Sequence, residues 1–330
     1  MKDILNQLFD HQKLTKDQAK EVLINISQSK YNPSQLAAFI SVYLMRNISV
    51  DELSGFRDAL LDLCVKVDFN DLPIVDLCGT GGDNKNTFNI STLSSFVVAG
   101  AGYYVAKHGN YGVSSVSGSS NVLEHFGFKF TNDNGTLMRQ MDATNICFLH
   151  APLFHPALKS VGPIRRELGV KTFFNMLGPL VNPAQPLYQS VGVFSLKLAR
   201  LYQFIHEQSN KKYSIIHTID GYDEVSLTGS VKLISNMKEH LAEPSYFGLL
   251  KYNQMDIIGG ETIADAAGIF MKVLDNESTS AQKDVVLANS ALAIQCFNQD
   301  KDIIDCVEEA RISLDSGKAK KCFVRLLNIN

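Results

Sequence analysis

The chain has 330 residues, with 31 lysines and arginines against 34 aspartates and glutamates and a formal charge of −3. That length predicts two domains or one with a substantial addition, and the near-balanced charge argues against a general binder of nucleic acid or anionic membrane. Six cysteines (Cys64, Cys78, Cys147, Cys296, Cys306, Cys322) show no CxxC spacing and sit mostly among apolar neighbours, so buried free thiols are expected rather than disulfides or a metal site. Asp3, Asn6 and Gln7 interrupt any signal-peptide core, and no apolar run approaches the ~20 residues that span a bilayer. A cytoplasmic protein is expected.

Residues 1–68 read as helices only. Thr15 with Gln18, Asn32 with Gln35 and Ser49 with Glu52 each set a capping side chain three residues before its reciprocal partner. Pro33 follows the second cap at the first helical position, where a missing N–H costs nothing. Leu36, Phe39, Ile40, Tyr43 and Leu44 then trace one apolar helical face, read as packing. Residues 66–73 read as a linker.

From Ile74 the texture changes to alternating strands and helices. Strand-like runs occur at Ile74–Cys78, Tyr103–Ala106, Asn145–Leu149, Ser190–Phe194 and Tyr213–Ile219, which predicts an α/β region, 73–162 and 187–330, with a mostly parallel sheet. Residues 163–186 break the alternation and are expected to leave the sheet and pack on the N-terminal helices. The last sixty or so residues read as closing structure and a solvated charged face.

Ligands of such sheets bind beyond the carboxyl ends of the strands. Three loops are expected there. Gly79-Thr80-Gly81-Gly82-Asp83 follows the first strand, and Thr87-Phe88-Asn89-Ile90-Ser91-Thr92 leads into a helix whose N-terminus would favour an anion. Lys107-His108-Gly109-Asn110 is expected to close the second strand, and with the hydroxyls of residues 114–120 it forms a second anion cradle. Asp220-Gly221-Tyr222-Asp223-Glu224 follows a later strand, and its adjacent carboxylates suit Mg²⁺ shared with substrate phosphates. Each loop alone is an ordinary turn; their common placement argues for a phosphorylated ligand.

GTGGD at 79–83, TFNIST at 87–92, KHGN at 107–110, the serine run at 114–119, RRELG at 165–169, TFFNMLGPLVNPA at 172–184 and DGYDE at 220–224 together resemble the anthranilate phosphoribosyltransferase family. The resemblance implies a small all-helical domain (1–68) joined to a larger α/β domain of nucleoside phosphorylase-like fold, and a homodimer associating through the helices. It implies transfer of the 5-phosphoribosyl group from phosphoribosyl pyrophosphate (PRPP) to the amine of anthranilate, with Mg²⁺, in tryptophan biosynthesis. Carried over by motif, PRPP contacts fall at Gly79, Gly82, Asp83, Thr87, Asn89, Ile90, Ser91, Thr92, Lys107, His108, Gly109, Asn110, Ser114, Ser115 and Ser119. Anthranilate contacts fall at Gly79, Asn110 and Arg165, with His108, His155 and Pro179 along the access path, and Mg²⁺ ligands at Ser91, Asp223 and Glu224.

Two positions depart from that pattern. Tyr111 stands where the family usually has arginine, so the phosphate site is expected to be one cation poorer, and Asn121 stands where aspartate is common. A pyrimidine nucleoside phosphorylase would not need the DGYDE carboxylates, and a nucleic-acid-binding homologue would not need KHGN and Arg165. Partners are therefore expected to be small substrates and a second copy, without nucleic acid or membrane.

Overall fold

Three capping boxes start three of the first four helices of this computed structural model, which describes residues 1–112 and 115–329. The helices are α1 (Lys2–Phe9), α2 (Lys16–Ser27), α3 (Pro33–Met45) and α4 (Val50–Leu63). Thr15, Asn32 and Ser49 each accept the backbone N–H of their third neighbour, whose side chain returns to the cap N–H. Leu36, Phe39, Ile40 and Tyr43 are buried as the spacing predicts. Leu44 is exposed instead; eight residues after Leu36 it lies about 80° round the helix, at the edge of the stripe.

The buried faces of these helices share one core with Val161, Ile164, Phe173, Phe174 and Leu177 of the segment after residue 160. Phe173 is the centre of this contact, with its ring 4.7 Å from Phe56, 4.9 Å from Tyr43 and 6.1 Å from Phe39. Burying one such aromatic contributes about 1.5–3 kcal/mol, with a further fraction from edge and stacked geometry.

The sheet has strands β1 (Ile74–Leu77), β2 (Tyr104–Gly109), β3 (Ile146–His150), β4 (Tyr188–Gly192), β5 (Lys212–Thr218), β6 (Val231–Ser235) and β7 (Glu239–Ala242). Their spatial order is β3-β2-β1-β4-β5-β6-β7. The first five are parallel, and β6 and β7 add an antiparallel edge that the alternating pattern did not suggest. The chain winds outward from β1 to β3, returns to β4 on the other side of β1, and winds on. The β1/β4 boundary is thus the switch point, where the crossovers diverge and leave a crevice.

The C-terminal helices do more than close the fold. Ser280–Gln295 is buried along most of its length beneath α5 (Ile90–Gly100) and β1. Among the described residues all six cysteines are free thiols, four of them buried.

Candidate active site

A cleft of about 270 Å³ opens over the switch point. Every described residue predicted from the sequence for the donor, the acceptor and the metal lines it, including Gly79, Gly82, Asp83, Ser115, Ser119, Arg165, Asp223 and Glu224. Ser114 lies outside the described residues.

The turn after β1 is held to β4 and to the acidic loop. Thr80 N–H donates to the Gly192 carbonyl at 2.9 Å, and Gly81 N–H donates to Asp223 Oδ2 at 2.7 Å. Gly192 itself must be glycine, because a Cβ there would fall 1.4 Å from the Asp223 carbonyl oxygen. The second turn carries Asn89, whose side-chain amide donates to the Ser117 carbonyl at 3.0 Å and joins it to the serine loop. Helix α5 begins at Ile90, which is buried and contributes its backbone, and the Ser91 N–H donates to Glu224 Oε1 at 3.2 Å. The helix N-terminus expected to favour an anion thus already faces a carboxylate.

Lys107 does not end its strand, as the sequence reading had it; β2 runs on to Gly109. The side chain is buried and its ammonium donates to the Leu77 carbonyl and, at 3.3 Å, to Ser91 Oγ. Pairing along β3 as far as Gly109↔His150 is what extends the strand past the lysine. Burial lowers the Lys107 pKa, while Cys78, Asp76 and Glu224 oppose the shift. Beyond the strand, Ser119 Oγ and the Ser120 N–H both donate to the Asn110 carbonyl, which folds the serine run back over KHGN.

Asp223 and Glu224 are deeply placed. Burial raises Asp223 to about 7, with the Asp83 charge adding to the shift. Burial and the charges of Asp223 and Asp83 hold Glu224 well above the carboxylate range. One buried oxygen of Asp83, Oδ2, has no hydrogen-bond partner. Converging carboxylates of this kind suit a hard cation. Among the described residues no group of three His, Cys, Asp or Glu side chains has metal-holding geometry. Such an ion would therefore complete its shell with hydroxyl and substrate oxygens, as Mg²⁺ commonly does.

The opposite wall comes from the segment around α9 (Gly162–Leu168; α6, Ser119–His125, α7, Asn134–Thr144, and α8, Ala151–Phe154, precede it). Arg165 lies on α9 with its guanidinium 5.4 Å over the Phe174 ring and 3.3 Å from Asn175 Oδ1. Desolvation alone lowers its pKa. His108 Nδ1 lies 2.9 Å from the Gly178 carbonyl, so the donor proton sits there and Nε2 is a bare acceptor. Burial pushes His108 down to about 3 and His155, packed edge-on against it at 5.3 Å, down to about 4, so both are neutral.

Sequence reasoning missed several residues of this site. Asn289 grips the acidic loop, its side chain bonding both the N–H and the carbonyl of Val225. Asp76 is buried beneath the loops and accepts the His108 N–H at 3.1 Å. Phe174, Asn175 and Cys78 line the cleft. Only Asp76 carried a signal, a carboxylate in the middle of an otherwise apolar strand.

Residues 71–320 match the model of the glycosyl transferase family, a/b domain, and residues 2–64 that of the helical bundle domain of the same family. A sheet whose switch-point loops face a cleft under a helical cap is thus that of a glycosyl transferase of this family. The chain is 56% identical over 323 residues to the anthranilate phosphoribosyltransferase of Cytophaga hutchinsonii, with 98% of each chain covered. It is similar in structure to anthranilate phosphoribosyltransferase from Thermus thermophilus (TM-score 0.92, 28% identity, 98% of each chain covered). The enzyme from Saccharomyces cerevisiae in complex with PRPP and Mg matches with a TM-score of 0.91 at 25% identity, covering 98% of this chain and 96% of that one. The chain belongs to the anthranilate phosphoribosyltransferase family.

Proposed function

We infer that this chain transfers the 5-phosphoribosyl group of PRPP to the amine of anthranilate, giving N-(5-phosphoribosyl)anthranilate and pyrophosphate in tryptophan biosynthesis. The observation that carries this reading is one cleft with phosphate-type loops on one wall and a single guanidinium on the other. The yeast relative's complex with PRPP and Mg supports the donor and the cation.

The C1–O bond to pyrophosphate breaks, the amine nitrogen forms a bond to C1, and the nitrogen then loses a proton. Positive charge builds on the ribose as the bond to pyrophosphate lengthens. The loop N–H groups of Gly79, Gly82 and Asp83, the hydroxyls of Thr87, Ser91, Thr92, Ser115 and Ser119, and the amides of Asn89 and Asn110 bind the phosphates and hydroxyls of the donor. Ser91, Asp223 and Glu224 would hold Mg²⁺, whose bound charge offsets that of the departing pyrophosphate. Lys107 acts from behind, fixing Ser91 Oγ and adding a positive charge to the buried carboxylates.

Arg165 meets the anthranilate carboxylate, a planar two-pronged match. The amine of anthranilate is unprotonated near pH 7 and attacks without a base. Burial keeps His108 neutral, and with Nδ1 held by the Gly178 carbonyl its role is structural, shaping the access path beside His155. Holding both substrates in one desolvated cleft supplies much of the rest.

The exposed apolar side chains Phe9, Leu44 and Met45 at the C-terminal ends of α1 and α3 support a homodimer formed through the helices. No helix among the described residues is long and apolar enough to cross a membrane. Mixing protein, PRPP, Mg²⁺ and anthranilate and following anthranilate fluorescence tests the reading; a signal that does not decay refutes it. Light scattering giving a one-chain mass would refute the dimer.

A further inference from the structure

The loop that follows β1 is held in a conformation few residues choose unaided. Gly81, Gly82, Asn84 and Asn86 all have positive φ, at 61°, 80°, 61° and 49°. A non-glycine residue in that region costs free energy, so such a run persists where its surroundings hold it. Each of the four is tied from outside the loop. Gly81 N–H donates to Asp223 Oδ2, and Asn86 bonds the backbone of Gly259 and Gly260. The remaining two are tied by one side chain, Lys171, whose ammonium donates to the Gly82 carbonyl at 2.5 Å and to Asn84 Oδ1 at 2.7 Å. The lysine stem also passes beside Gly82, leaving 3.7 Å to a Cβ built there.

The first two ties come from the acidic loop and from the turn before the helix Ile263–Leu274. The third comes from across the cleft. Lys171 stands between α9, which carries Arg165, and Phe173 and Phe174, which anchor that segment on the helical core. Its two hydrogen bonds therefore join the wall that meets the acceptor to the loop that meets the donor.

We propose that Lys171 is a positioning residue that couples the two substrate sites. The inference rests on the function proposed above. A donor bound on the loop stabilises Gly82 and Asn84 in the conformation that the lysine grips, and the lysine holds the Arg165 segment in turn. By linkage the acceptor must tighten donor binding by the same factor. An uncharged, unbranched methionine keeps the stem and removes the donors; arginine keeps both.

Benzoate, which has the carboxylate of the acceptor without its nucleophile, is titrated calorimetrically into the wild type, Lys171→Met and Lys171→Arg proteins, with and without saturating PRPP and Mg²⁺. In the wild type the donor lowers the benzoate Kd by about fivefold or more. In Lys171→Met that ratio falls to near one, while benzoate binding without PRPP and the melting temperature stay close to wild type. Lys171→Arg restores most of the ratio. Lys171→Gln serves in place of methionine if that variant is unstable. A ratio unchanged in the methionine and glutamine variants, or a wild type without any coupling, overturns the proposal. Wild-type protein that leaves anthranilate fluorescence unchanged overturns the functional reading instead, so the two failures are separable.

Discussion

The two walls of the cleft are built in different ways. The donor wall is made of strand-end loops, and most of its contacts are backbone N–H groups and short hydroxyls fixed by the sheet. The other wall is a segment of short helices seated through Phe173 on α3 and α4, and it presents one guanidinium and His155, against which His108 of β2 packs. On the proposed function, binding on the donor side would be spread over many small donors, and on the acceptor side it would be concentrated in Arg165. Side-chain removal should be tolerated at most donor positions and felt sharply at the carboxylates and at Arg165.

The acidic loop is where the donor wall depends on side chains most. Asp223→Asn with Glu224→Gln removes the charges that would hold Mg²⁺, and turnover should drop about 100-fold or more with an unchanged circular dichroism spectrum. Near-normal Mg²⁺-dependent turnover in that double variant would show that the metal is held elsewhere.

Arg165→Ala sharpens the contrast from the other side. The Michaelis constant for anthranilate should rise about 10- to 100-fold, the equivalent of about 1.5–3 kcal/mol for a charge-assisted pair. The constant for PRPP should hardly move. Equal changes in both would mean that the walls do not divide the substrates as argued.

The frame behind the acceptor wall should be sensitive to acid. His206, on the helix Leu196–Glu207, stacks on Tyr213 and burial pushes its pKa down to about 3, from 6.5. In the unfolded chain the imidazole takes up a proton near 6.5, while in the folded protein it stays neutral. The unfolded state thus binds more protons as the pH falls, and stability drops from pH 6.5 downward. His108 and His155, depressed to about 3 and about 4, act in the same direction. Each group contributes a slope of up to about 1.4 kcal/mol per pH unit. His206→Phe should make the fall in melting temperature between pH 6.5 and 4.5 shallower; an identical fall would show that the imidazole is already charged in the fold.

The smallest effect is expected at Tyr111. Its hydroxyl donates to Glu124 Oε1 at 2.7 Å and its ring packs edge-on against His150. An arginine there would find Glu124 as a ready partner, so Tyr111→Arg should tighten PRPP binding by only about 0.5 kcal/mol at an exposed site. Calorimetric titration of PRPP with Mg²⁺ checks this, and a tenfold gain would mean that the new charge reaches the phosphates directly.

Strand-end loops were legible because their residue types are local demands of the backbone: glycine at turns, hydroxyls at a helix start, adjacent carboxylates after a strand. The capping boxes of α2, α3 and α4 were legible for the same reason. The antiparallel pair β6 and β7 was not, because short edge strands of mixed polarity carry no period strong enough to stand out from loops. Asn289 and Lys171 were not either. An asparagine inside an apolar helix and a lysine in an exposed turn are ordinary residues until another segment comes to rest beside them. By itself the sequence determined the capped N-terminal helices, the alternating parallel strands with their strand-end loops and, through its motifs, the family. Only the tertiary structure decided that Lys107 works from beneath Ser91, that Asn289 holds the acidic loop, and that Lys171 spans the cleft. Those roles depend on which distant backbone atoms accept a hydrogen bond, and that is fixed by packing rather than by spacing along the chain.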